Sequence, residues 1–145
     1  MTYLRVMLTS ALLLGNSVLF ASESNQVDFN DYTVHFNAFP SDHLNERVAK
    51  VIGVERDLAH AIITIVVNKK DGKSLPKSVK ANIHGNAFNL TGMMRKLKLR
   101  EVEDHGAIYY VSDFGVRDGE HLTFAMTVQP QGEKFKKNFK FDKKF

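Results

Sequence analysis

Asp31-Tyr32-Thr33-Val34-His35-Phe36-Asn37-Ala38-Phe39 reads as a strand with two faces, Tyr32, Val34, Phe36 and Ala38 on one and Thr33, His35 and Asn37 on the other. A period of two is the side-chain spacing of a half-buried β-strand, and Pro40 ends the run because it has no N–H to give to a ladder. The same alternation recurs downstream. Leu122, Phe124, Met126 and Val128 alternate with Thr123, Ala125 and Thr127, and Phe135, Phe139 and Phe141 are interleaved with Lys136, Asn138 and Lys140. Ala61 to Val67 is apolar apart from Thr64, as expected of a central strand covered on both faces. Val79 to Phe88, Arg95 to Val102 and Ile108 to Phe114 complete the set, separated by turn residues such as Thr91-Gly92 and Asp104-His105-Gly106. Helical signals gather in one place, with Asn45 as N-cap, Glu46 in the first turn, Val48 and Ile52 on one stripe and Gly53 as the stop. About seven short strands, one short helix near the N-terminus and no strand–helix–strand rhythm predict an all-β, immunoglobulin-like antiparallel β-sandwich. Phe36, Ile63, Ile65, Phe124 and Phe139 are expected in one core. A closed barrel is the alternative architecture.

The first two dozen residues follow a different logic. Arg5 is followed by the apolar run Val6 to Leu14, and then by small residues at Ala21, Ser22 and Ser24. That order is the pattern of a secretory signal peptide, and the run is too short to span a bilayer. Residues 1–24 are therefore read as a signal peptide cleaved after Ala21 or Ser24, and residues 25–145 as a single domain exported to the periplasm. No cysteine follows the apolar run, or occurs anywhere, so neither a lipid anchor nor a disulfide is expected.

Tyr32, Val34, His35, Phe36, Asn37, Ala38, Phe39, Pro40, Ser41 and Asp42, taken with Val48-Ala49 and Gly53, Val54, Glu55 and Arg56, carry a family resemblance. Ala107, Ile108, Tyr109, Tyr110 and Val111, and later Val128, Gln129 and Pro130, extend it through the second half. The chain resembles an uncharacterised family of small exported proteins of Gram-negative bacteria, a domain of unknown function. The resemblance implies export and a single β-rich domain, and it brings no catalytic or binding residue.

The chemistry-bearing residues fall into two groups. His35 and Asn37 on the polar face of the first strand and Asp42 in the turn after it form the densest polar cluster, and a histidine with a carboxylate is the raw material of an acid–base pair. The competing reading makes Asn37 and Asp42 turn-holders through side-chain-to-backbone bonds. The second group is basic. Lys134 to Phe145 holds six lysines against Asp142 alone, while the whole chain carries a net charge of +4. Lys96, Lys98 and Arg100 share one face of the expected Arg95 to Val102 strand, and Lys136 and Lys140 share one face of the last. If those strands are neighbours, the five form a patch for an anionic envelope component, such as lipid head groups or lipopolysaccharide phosphates, or for an acidic envelope protein. Outward lysines also protect strand edges from aggregation.

Other classes find little support. No serine sits in a nucleophile elbow, no glycine-rich loop could hold a phosphate, and no cofactor is implied. His35, His43, His60, His84, His105 and His121 form no pair at metal-ligand spacing, and Met126 reads as core filler rather than as a soft copper ligand. Asn89-Leu90-Thr91 matches a glycosylation sequon by chance. Nucleic acid is disfavoured by export. The leading expectation is a non-enzymatic binding or interaction module. A small hydrolase or lyase using His35 and Asp42, and a metal-binding sandwich, are the rivals.

Overall fold

The structure, a computed structural model, describes residues 25–145, so the expected signal peptide and its cleavage site lie outside the described residues. Among the described residues, ten strands rather than about seven form two antiparallel sheets, because short edge strands such as Gln26–Phe29 and Ser74–Ser78 add to the expected set, and the architecture is the expected immunoglobulin-like sandwich. The first sheet runs β1 (Gln26–Phe29), β2 (Tyr32–Pro40), β3 (His60–Asp71), β8 (Ala107–Gly115), β7 (Arg100–Asp104), with β4 (Ser74–Ser78) paired to the end of β3. The second runs β10 (Lys137–Lys144), β9 (His121–Pro130), β5 (Ala81–Asn89), β6 (Met94–Lys96).

Alternation decides which side chains meet between the sheets. Val34, Phe36, Ile63, Ile65 and Val67 from the first sheet and Ala87, Leu122, Phe124, Met126 and Val128 from the second are buried in one cluster, with Phe139 partly buried against it. All five residues expected in the core are there. Phenylalanines of β10 close one side of the sandwich. Phe141 stacks on Phe36 at 4.5 Å and on Phe124 at 4.7 Å between ring centroids, and Phe139 stacks on Phe36 at 4.9 Å. Aromatic pairs at this separation add about 0.5–1.5 kcal/mol beyond their buried area.

The helix forms where the caps place it. Asn45 Oδ1 accepts from the Arg47 N–H at 2.8 Å, and Gly53 ends α1 (Glu46–Ile52) in a left-handed conformation at φ 66° that a side chain would strain. Its inward stripe differs from the expected one. Ala49 is buried with Leu44 and Val54 against Ile62 and Val111 on the outer face of the first sheet, Ile52 packs on them, and Val48 points to solvent.

Arg95 to Val102 is not one strand. β6 ends at Lys96 in the second sheet and β7 begins at Arg100 in the first, so Leu97 to Leu99 carries the chain across the sandwich. Leu97 is buried and Leu99 packs on the same core, so the alternation runs unbroken through the change of sheet. Pro76 sits in edge strand β4, where its missing N–H leaves no gap in a central ladder.

Candidate functional site

The two outer faces differ. Helix α1 covers one end of the first sheet, while no helix lies over the second among the described residues. The strand registers put Lys140, Ala125, Asn86 and Lys96 in one row across all four strands of that second sheet. At about 4.8 Å per strand, its two lysines stand about 14 Å apart. The next rows hold Asn138, Thr127 and His84; Asp142, Thr123, Phe88 and Met94; and Lys144 with His121. Lys136, just before β10, keeps the same alternation and is exposed. Lys96, Lys136, Lys140 and Lys144 have no ion-pair partner among the described residues. Among the described residues, Asp142 is the one side-chain carboxylate on the strands of this face, and it accepts a hydrogen bond from Thr123 at 2.5 Å. The face is mostly polar and carries unpaired positive charge.

The expected five-residue patch is thus divided. Lys96 and Lys140 share a face and Lys136 continues it, but they enter from opposite edges of the sheet rather than from neighbouring strands. Lys98 lies exposed in the crossing segment. Arg100 belongs to the other sheet, where its guanidinium donates to the Ile52 carbonyl through Nε at 3.2 Å and also through a terminal nitrogen, and pairs with Asp113 at 3.0 Å. The Gly53 carbonyl also accepts from Arg100, at 3.5 Å, and both carbonyls lie at the C-terminal end of α1, so Arg100 caps the helix and fastens it to the sheet.

The His35, Asn37 and Asp42 cluster does not assemble. His35 and Asn37 are exposed on the outer face of the first sheet, and five residues of extended chain carry Pro40 about 16 Å from His35. His35 has an electrostatic link to Asp28, which Thr33 and Lys70 hold below the usual carboxylate range, with a smaller contribution from His35. Asp42 lies in a single 3-10 turn, Ser41–His43. Its backbone carbonyl accepts from Arg56 at 3.0 Å, and one carboxylate oxygen is buried without a partner. It therefore does not hold the turn through backbone amides; Asn45 and Ser41 do that. The fully buried Ser41 hydroxyl accepts from the Asp57 N–H and donates to the Asp57 carbonyl, both at 3.0 Å.

Three polar arrangements escaped sequence reasoning. Asp57 meets His60 Nδ1 at 2.6 Å, and that bond holds the carboxyl below its usual range. The Tyr110 hydroxyl accepts from the Ala81 N–H at 2.8 Å and donates to Glu101 at 3.0 Å, while Lys80 pairs with Glu101 at 2.9 Å. Tyr32, whose phenol is pushed up by burial and then by Glu133, donates to Glu133 at 2.8 Å beside an open hollow of about 470 Å³ that Lys69 and Lys80 also line. Asp57 and His60 lie only three residues apart, whereas the partners in the other two arrangements come from different strands or turns, so no local pattern announces those two. None of the three places a nucleophile against a base. Among the described residues, no group of three or more His, Cys, Asp or Glu side chains could hold a metal ion, and no helix is long and apolar enough to cross a membrane.

The comparisons with known proteins agree with this architecture. A crystal structure of a DUF4426 family protein from Pseudomonas aeruginosa PAO1 is similar at 34% identity and a TM-score of 0.70, over 83% of this chain and 92% of that one. FetP of uropathogenic Escherichia coli strain F11, recombinantly expressed in the periplasm of E. coli BL21(DE3), shares the fold at 8% identity and a TM-score of 0.58, over 83% and 91%. A copper-bound variant of FetP does so at 11% identity and a TM-score of 0.56, over the same shares. No curated protein matches the chain. The family model for DUF4426, a domain of unknown function, matches residues 26–145, and the chain belongs to that family.

Proposed function

We propose that this protein is exported to the periplasm as a non-enzymatic binding module, and that its working surface is the open face of the second sheet, which takes an anionic partner. The observation that carries this reading is the set of unpaired lysines, Lys96, Lys136, Lys140 and Lys144, spread over a face whose strands hold, among the described residues, a single side-chain carboxylate, already bonded to Thr123. Four cations without counter-charges on one plane attract an anion at a distance and hold it by many weak contacts. The export part rests on the N-terminal pattern, so the intact mass of the periplasmic protein should start at Ser22 or Asn25.

Retention on immobilised heparin, eluted with salt, tests the binding part. Lys96→Glu with Lys140→Glu should elute at clearly lower salt than the wild type. Lys73→Glu with Lys77→Glu, which changes the net charge equally from exposed positions on and beside β4 in the other sheet, should shift elution much less. Equal shifts from the two pairs would mean that net charge alone is read, and the face would lose its role.

A further inference from the structure

The hairpin joining β5 to β6 presents a contradiction for a water-soluble surface. Leu90, Met93 and Met94 are 83%, 58% and 58% exposed, three large apolar side chains within five residues. The turn that carries them is held by several hydrogen bonds. Asn89 Oδ1 accepts from the Thr91 N–H at 3.1 Å, the Thr91 hydroxyl at 2.8 Å and the Met93 N–H at 2.8 Å, and the Asn89 N–H donates to the Met93 carbonyl at 3.1 Å. Gly92, at φ 82°, supplies the left-handed residue the turn needs. The sequon-like Asn89-Leu90-Thr91 thus has a structural purpose. It locks a turn whose apolar side chains project outward instead of folding back.

The tip is continuous with the basic face. Met94 pairs with Phe88 on the outer side of the sheet, and Lys96 follows two residues later on the same side, about 7 Å along the strand. Lys144, at the same end of the sheet, lies two strands from β5, about 10 Å away. Resting on the reading of that face as the anion-binding surface, we propose that the partner is an anionic lipid bilayer, into whose interface Leu90, Met93 and Met94 insert while Lys96, Lys140 and Lys144 meet the head groups. Area and charge together select this occupant. Three side chains at the end of a hairpin fall far short of the roughly 800 Å² per partner that a stable protein interface buries. A bilayer yields to an apolar tip. One weak hydrophobic anchor combined with a basic surface is the pairing of signals that gives stable, reversible attachment.

The chain has no tryptophan, so Leu90→Trp provides a unique reporter. With vesicles of phosphatidylcholine and phosphatidylglycerol, its emission should shift to the blue and be quenched by lipids brominated on the acyl chains. Pure phosphatidylcholine should give neither effect. Leu90→Ser, Met93→Ser and Met94→Ser combined should weaken vesicle binding at least about tenfold, since each side chain gives up apolar burial in the bound state. The same triple variant should keep its heparin elution and its denaturation midpoint, because all three positions are exposed in the free protein. A reporter that stays in water, or a triple variant that binds vesicles like the wild type, overturns the insertion and leaves the basic face standing. If the paired charge reversals leave heparin elution unchanged, the face and the inference that rests on it fall together.

Discussion

Glu120 belongs to the least exposed ion pair among the described residues. It is 11% exposed and meets Arg95, 24% exposed, at 2.7 Å, while its second oxygen accepts from the Arg117 N–H. Burial pushes the Glu120 carboxyl up, but Arg95 and the Arg117 backbone outweigh it and hold the group below the ordinary glutamate range. A carboxyl depressed by folding contributes stability above its unfolded pKa, near 4.3, and loses that contribution as pH falls through the folded value. One guanidinium nitrogen of Arg95 is already buried without a partner, so little else can neutralise it. Glu120→Gln should therefore cost about 1–3 kcal/mol at neutral pH, by stranding a largely buried cation, and should flatten part of the acid limb of a stability-versus-pH curve. Urea unfolding across the acid range measures both, and an unchanged midpoint with an unchanged acid limb would contradict the assignment.

Arg100 fastens one element to another. Its guanidinium holds the last carbonyls of α1, a helix of seven residues that is too short to persist unaided. Arg100→Ala should destabilise the domain by about 1–2 kcal/mol and speed amide exchange in α1 first. Exchange faster everywhere by the same factor would argue against a local fastening. The elements also show what the sequence could reveal. Alternation in β2 and β9, and the Asn45 and Gly53 caps, were legible because each depends on residues adjacent in the chain. The passage from β6 to β7 was not, because side-chain parity tells which side of the chain faces the core and stays the same when the chain changes sheet. Leu97 and Leu99 point inward throughout, so Lys96, Lys98 and Arg100 looked like one face although the sandwich deals them to three places. His35 and Asp42 failed for the converse reason: closeness in sequence becomes distance when the intervening residues are a straight strand. Lys140 and Lys96 share a face because register, not sequence proximity, sets their row.

The whole molecule is asymmetric in a way that bears on function. Its first sheet is capped by a helix and knit by ion pairs such as Lys70 with Asp28 and Arg100 with Asp113, whereas its second sheet leaves its lysines unpaired and its hairpin tip apolar. Membership of DUF4426 and the similarity to the Pseudomonas aeruginosa structure account for the fold, and the distribution of charge and apolar surface supplies the functional reading. Backbone amide shifts of the isotope-labelled protein, followed during titration with a short heparin oligosaccharide, test that reading most directly. The account predicts perturbations centred on Lys140, Ala125, Asn86 and Lys96 and fading toward α1. Perturbations centred instead on the Tyr32, Lys69 and Glu133 hollow, or scattered evenly over every exposed lysine, would contradict it.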